Sequence, residues 1–272
     1  MPPPHHAGRD LRGANVIRMR LAVLATVVAW LPAAAAGAGD VPGVVERVKP
    51  AIVAVGTYER TRSPQFDFRG TGFAVDDGTL IVTNAHVVPG VLDGAKREQV
   101  GVIVPQKGTG QGAFREARLV AMDPGTDLAV LKISGEPLPA LKVADSGRVR
   151  EGQEVLFSGF PIGSVLGIFP ATHRGMVAAI APVAIPQARS ADLDPKVVRR
   201  LAQGSFDVFQ LDATAYPGNS GSPLVDPDTG EVIGVVNMVL VKSTKEAVLA
   251  QPSGISYAVP SRYVTELLAK PR

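Results

Sequence analysis

Cysteine is absent from this chain, which excludes disulfide staples, thiol nucleophiles and thiolate metal sites. Stability must therefore come from a packed core. Aromatic residues are scarce, at 5% with a single tryptophan, so Val, Ala, Leu and Ile must build that core. The histidines His5, His6, His86 and His173 show no H-x-x-x-H or comparable ligand spacing; neither a metal nor a cofactor is expected. An excess of one charge is also missing. The formal +3 arises in residues 1–38, where Arg9, Arg12, Arg18 and Arg20 stand against Asp10 alone, and the remainder is balanced. No basic run with interleaved aromatics occurs, so no nucleic-acid partner is expected.

Long apolar runs are lacking too. The longest near the start, Leu21 to Ala36, contains Pro32 and spans 16 residues, short of the roughly 20 that cross a bilayer. Basic residues up to Arg20, this apolar run and the small residues Ala33 to Ala38 follow the order of a secretory signal with an A-x-A-like cleavage site. Residues 1–38 are therefore read as a cleaved signal peptide, started from Met1 or Met19. The mature chain is expected in a bacterial periplasm or secreted, without stable membrane insertion.

What is present is apolar content of 46% broken by 29 glycines and 23 prolines, the pattern of short strands joined by turns. Val44 to Val48 reads as a short helix or extended segment, and Thr61 to Gly70 as a polar loop. Strands are expected at Ile52–Gly56, Thr71–Val75, Leu80–Thr83, Val100–Val104, Ala117–Ala121 and Leu128–Ile133. A second set covers Glu154–Phe160, His173–Ile180, Phe206–Ala213, Pro223–Val225, Val232–Val241 and Gly254–Val259. Asp192 to Gln203 is a charged interruption, and a helix follows Pro260. Two groups of about six strands without alternating helices indicate an all-β chain of two antiparallel six-stranded barrels with a short C-terminal helix. The expected organisation is 39–137 for the first barrel and 138–272 for the second with its helix.

Three loops concentrate reactive side chains: Thr83-Asn84-Ala85-His86-Val87-Val88, Asp123 to Leu131 around Asp127, and Asp212 to Pro223 around Gly218-Asn219-Ser220-Gly221. Serine is a poor nucleophile until an imidazole takes its proton, and a carboxylate on the other ring nitrogen fixes the tautomer. The chain order His86, Asp127, Ser220 differs from the Ser-acid-His order of the α/β-hydrolases. Their G-x-S-x-G elbow also fails, because Ser222 stands at its last glycine.

These three motifs resemble the catalytic motifs of trypsin-fold serine proteases, especially bacterial HtrA/Deg-like ones. Gly70-Thr71-Gly72-Phe73, Gly159 to Gly163, His173 to Val177 and Gly254 to Pro260 extend the likeness over about Val44 to Leu268. The resemblance implies a serine endopeptidase with His86, Asp127 and Ser220 as catalytic triad, and Gly218 and Ser220 as oxyanion-hole donors. It implies Thr214 at the base of the primary pocket and Asn237-Met238-Val239 as the strand that pairs with substrate, with protein or peptide partners and a place in protein quality control. A small or medium apolar residue is expected in that pocket, since no acid stands at 214 and Val236 replaces the histidine of glutamyl-specific relatives. Asn219 stands where digestive enzymes carry an aspartate that pairs with a new N-terminus, so no activation of that kind is expected. No PDZ domain is expected after the protease. The oligomeric state is left open.

Each residue has a plainer reading when taken alone. A lone histidine is ordinarily structural, an aspartate before a strand ordinarily caps a turn, and Gly218 to Gly221 could be an ordinary tight turn. Their joint occurrence in one order argues against that. His173, inside an expected strand, reads as structural. The competing functional class is a chaperone or binding protein on a protease fold, with a closed or inactive site.

Overall fold

The computed structural model describes residues 40–162, 167–182, 206–237 and 254–270. The leader expected at 1–38, the interruption at Asp192 to Gln203 and the end of the Val232–Val241 strand lie outside them. Among the described residues, no helix is long and apolar enough to cross a membrane.

The chain enters through helix α1, Val41–Val48, which resolves the ambiguity of that segment in favour of a helix. Asp40 caps it by accepting from the Gly43 N–H at 3.0 Å, and Val44 and Val48 are buried. Six strands follow: β1 Ile52–Tyr58, β2 Phe66–Val75, β3 Leu80–Asn84, β4 Gln99–Pro105, β5 Gly112–Asp123 and β6 Leu128–Ile133. They close in the order β1-β2-β3-β6-β5-β4. Six more, β7 Glu154–Gly159, β8 Ala171–Pro182, β9 Asp207–Asp212, β10 Pro223–Val225, β11 Val232–Asn237 and β12 Ile255–Pro260, close in the order β10-β11-β12-β9-β8-β7. All pairings in both barrels are antiparallel. The two barrels lie within a single compact unit. Closure leaves no open sheet edge, and each barrel fills its interior with apolar side chains, Phe73, Ile81 and Leu131 in one and Phe157, Phe209 and Leu211 in the other.

Two differences from the sequence reading have clear causes. β2 begins at Phe66, inside the segment read as a polar loop. Phe66-Asp67-Phe68-Arg69 alternates half-buried rings with exposed charges, which is the period of a strand with one wet face. β5 starts five residues before the expected Ala117 because Ala113 to Glu116 pair with β4.

Helix α2, Ser261–Ala269, leaves the second barrel and contacts β5 and β6 of the first as well as β11 and β12. Its Ser261 hydroxyl donates to the Ala144 carbonyl at 2.6 Å, and Arg262 pairs with Asp207 at 2.7 Å.

Glu98 clamps the β1–β2 connection onto the approach to β4. Its carboxylate accepts from the Thr57 hydroxyl at 2.6 Å, the Asp93 N–H at 3.0 Å and Arg62 at 3.1 Å. Those donors, the Thr57 hydroxyl foremost, hold its pKa down at about 2 from 4.5. A pKa lowered on folding stabilises the native state above the unfolded value, and that contribution is lost as pH falls through the folded one. Glu98→Gln is therefore expected to lower the melting temperature at pH 6–7. The difference from wild type should shrink between pH 4.5 and pH 2. A gap unchanged across that range would show that the ionised carboxylate is not the stabilising group.

Candidate active site

The β3–β6 ladder brings the first two residues together. Asn84 pairs with Leu128, so extending the register by one residue places Ala85 opposite Asp127. The Ala85 N–H does donate to the Asp127 carbonyl, at 2.9 Å, and the Asn84 side chain donates to the same oxygen at 3.0 Å. His86 follows in a 3-10 turn, Ala85–Val87. Asp127 has φ +57°, a left-handed conformation that aspartate tolerates better than most residues, and it is 8% exposed. Its carboxylate accepts the His86 main-chain N–H on Oδ1 at 2.9 Å and meets His86 Nδ1 on Oδ2 at 2.6 Å. Histidine and acid are thereby locked in orientation, with the Nδ1 proton facing the carboxylate.

A third donor comes from the other barrel. Asn237, 1% exposed at the end of β11, donates its Nδ2 to Asp127 Oδ2 at 2.8 Å. A carboxylate can only accept, so the amide nitrogen must face it. Asn237 was expected as part of a substrate-pairing strand. Its side chain is committed to the acid, and its position along the chain pairs with Tyr257 of β12. Met238 and Val239, expected beside it, lie outside the described residues.

Ser220 lies in the turn between β9 and β10 and is 5% exposed. The turn is closed by Asn219 N–H to Tyr216 O at 2.9 Å and Ser222 N–H to Asn219 O at 3.0 Å. Gly218 at φ +101° and Gly221 at φ +87° adopt backbone conformations open to glycine. At 221 a Cβ would also overlap the Thr71 carbonyl oxygen. The Gly221 N–H reaches Val236 O at 2.9 Å. Two N–H groups of this turn, those of Gly218 and Ser220, have no acceptor among the described residues. Ser220 is buried and Gly218 half-buried, and main-chain donors removed from water are almost always paired; two unpaired ones in a single turn, one of them the N–H of the serine itself, offer a place for an oxygen. Ser220 Oγ itself makes no hydrogen bond to His86 in this structure, although such contacts are often loose before substrate binds.

Thr71 of β2 was not singled out from the sequence, yet it holds the serine turn. The β2–β3 ladder runs from Phe73 to Val75, which leaves Thr71 beyond it. Its N–H donates to Ser220 O at 2.8 Å and its hydroxyl donates to Gly218 O at 2.7 Å. That hydroxyl also accepts from the Phe160 N–H at 3.1 Å, while the Thr71 carbonyl accepts from the Thr83 hydroxyl at 2.7 Å. The one signal available in sequence was a hydroxyl residue between two glycines in an apolar strand. Asn219 is fully buried, and neither of its amide atoms has a partner among the described residues.

Thr214, the expected pocket base, is half-buried between Ala213 and Ala215. The Ser256 hydroxyl ties these two together, accepting from the Ala215 N–H at 3.1 Å and donating to the Ala213 carbonyl at 2.7 Å. His173 stacks on Phe157 with ring centroids 5.0 Å apart and lies 6.3 Å from the Tyr216 ring. Burial pushes its pKa down, as suits a neutral structural histidine. No cluster of three or more metal-ligating side chains occurs among the described residues.

Residues 70–235 match the family of the trypsin-like peptidase domain. The chain is 35% identical over 252 residues to "Serine protease HTRA2, mitochondrial" of Bos taurus, covering 91% of this chain and 46% of that protein. It is 32% identical over 199 residues to "Probable periplasmic serine endoprotease DegP-like" of Marinomonas sp. (strain MWYL1), covering 71% and 33% respectively. It thus spans less than half the length of these curated relatives. The solved structure "HtrA-type protease AlgW with tripeptide" aligns with a TM-score of 0.59 at 27% identity, over 84% of this chain and 62% of that one.

Proposed function

The chain belongs to the trypsin-like peptidase family, and from that premise we propose that it is an exported serine endopeptidase using Ser220, His86 and Asp127. The observation that carries this reading is the Asp127 carboxylate on His86 Nδ1 at 2.6 Å, together with a buried serine whose own N–H and that of Gly218 have no acceptor among the described residues.

Acylation begins when Ser220 Oγ attacks a peptide carbonyl carbon and its proton passes to His86 Nε2. The developing oxyanion lies against the Gly218 and Ser220 N–H groups, where each lost donor costs about 2.7–4 kcal/mol of transition-state stabilisation. His86 then gives its proton to the leaving amine as the C–N bond breaks. Water attacks the acyl-enzyme with His86 again as base, and Ser220 recovers its proton. Asp127 orients His86 and balances the imidazolium charge. No cofactor enters the cycle.

Substrates are proteins or peptides, in keeping with the tripeptide and decapeptide held by the HtrA-type structural neighbours. Thr214 forms the base of the primary pocket, with Asn237, Met238 and Val239 along the peptide. The periplasmic endoprotease among the relatives favours a periplasmic place after removal of residues 1–38, and a role in protein quality control is proposed with it.

The unformed bond between Ser220 and His86 is what a closed-site binding protein or chaperone would share. Treatment with a fluorophosphonate separates the two. A single adduct on intact wild-type protein, absent from Ser220→Ala, is expected. A folded wild type that takes no adduct would overturn the peptidase reading in favour of the binding one.

A further inference from the structure

We propose that Ile162 is a positioning residue for the oxyanion donor at Gly218, acting through its own main-chain N–H; the inference rests on the peptidase reading above. Ile162 follows Pro161 after β7 and has φ +60°. A β-branched residue in left-handed backbone is a genuine outlier, because its side chain crowds the carbonyl. Such strain persists only where something else holds the conformation. The side chain does not supply that hold, since Ile162 is 56% exposed. The contact this conformation makes is a hydrogen bond from the Ile162 N–H to the Pro217 carbonyl at 2.7 Å.

Pro217 O belongs to the same peptide plane as the Gly218 N–H. The Pro217–Gly218 bond is trans, so the carbonyl and the N–H at its two ends point in opposite directions. Fixing the oxygen on Ile162 therefore aims the Gly218 N–H away from Ile162. Gly218, at φ +101°, presents little steric resistance to rotation of that plane. The neighbouring groups are held from elsewhere: Gly218 O and Ser220 O by Thr71, and Tyr216 O by the Asn219 N–H. Among the described residues only Ile162 holds the Pro217 end. Released from it, the plane can turn its carbonyl toward the space where an oxyanion must sit.

The test replaces the Ile162 amide by an ester, by incorporating the α-hydroxy analogue of isoleucine at 162, which removes the N–H and keeps the side chain. On a chromogenic peptide, kcat should fall between tenfold and a hundredfold with KM within twofold, because the lost alignment acts on the transition state. Affinity for a peptide boronate, whose tetrahedral oxygen occupies the same place, should fall at least tenfold, while affinity for the product peptide should not change. Ile162→Gly retains the N–H and favours φ > 0, so it should keep kcat within twofold. An unchanged kcat in the ester variant would overturn the proposal, as would an Ile162→Gly protein that loses as much. Failure of wild type to take the fluorophosphonate would instead strike the peptidase reading, so the two failures are distinguishable.

Discussion

Ser220→Ala is expected to lower kcat by about 10⁶-fold while leaving the melting temperature within about 2 °C of wild type. Both halves follow from how the serine is held. The fold uses its main chain: Ser220 O accepts from the Thr71 N–H at 2.8 Å, and alanine preserves that bond. Its hydroxyl makes no hydrogen bond among the described residues, so its removal orphans no partner. The proposed attack uses only the hydroxyl. His86→Ala should cost nearly as much, and the double variant little more than either alone, since nucleophile and base act as a unit. Peptide hydrolysis followed to low turnover, beside thermal melts of all three variants, is the measurement. Residual activity above 1% in Ser220→Ala would mean that another group attacks the carbonyl. Additive losses in the double variant would mean that His86 does not serve Ser220.

Much of this candidate site was legible because the proposed chemistry demands particular side chains at particular places. Histidine, aspartate and serine each stood in a short loop at a strand end, and the β3–β6 register then made His86 and Asp127 neighbours without further help. What stayed hidden was the main-chain support. Thr71 reads as any polar residue in a strand, and its four bonds to the serine turn, Phe160 and Thr83 exist only once two barrels have met. Asn237 was expected within the strand that pairs with substrate backbone, and that expectation said nothing of its side chain's bond to Asp127. A strand residue's face follows from alternation, but its partner in another barrel does not. Ile162 lay within Gly159 to Gly163 but carried no signal of its own role, because a left-handed φ on isoleucine contradicts its propensity and arises from context.

The fold followed the same division. Apolar runs bounded by polar turn residues gave the strands, with Leu128–Ile133 and Pro223–Val225 placed to the residue. The errors lay where hydrophobicity was diluted. Phe66 to Gly70 has only two aromatic residues in five positions, and its strand character lies in their alternation. Closure into barrels rests on long-range pairings, such as β1 with β4 and β7 with β10, which local pattern can suggest only through strand count.

Asp127→Asn should reduce kcat by about 10⁴-fold with KM little changed. The carboxylate receives three donors: the His86 N–H at 2.9 Å, His86 Nδ1 at 2.6 Å and Asn237 Nδ2 at 2.8 Å. An asparagine side chain offers one acceptor oxygen and one NH₂ group. With the NH₂ at the Oδ2 position, it opposes the Asn237 amide and makes His86 Nδ1 an acceptor. The imidazole proton must then sit on Nε2, where it blocks uptake of the Ser220 proton. With the NH₂ at Oδ1, it opposes the His86 main-chain N–H and loosens the turn that carries the base. Neither arrangement satisfies all three donors. Substitutions at Asn237 should follow a different order. Asn237→Ala removes one donor and leaves the histidine–acid pair intact, for a loss of about tenfold or less. Asn237→Asp sets a second carboxylate against Asp127 and should cost more than alanine. Single-turnover acylation rates for the three variants test that ranking. An Asp127→Asn enzyme retaining a tenth of wild-type kcat would show that the acid does not set the tautomer of His86. An Asn237→Asp enzyme more active than Asn237→Ala would show that the inter-barrel contact is not a donor to the acid.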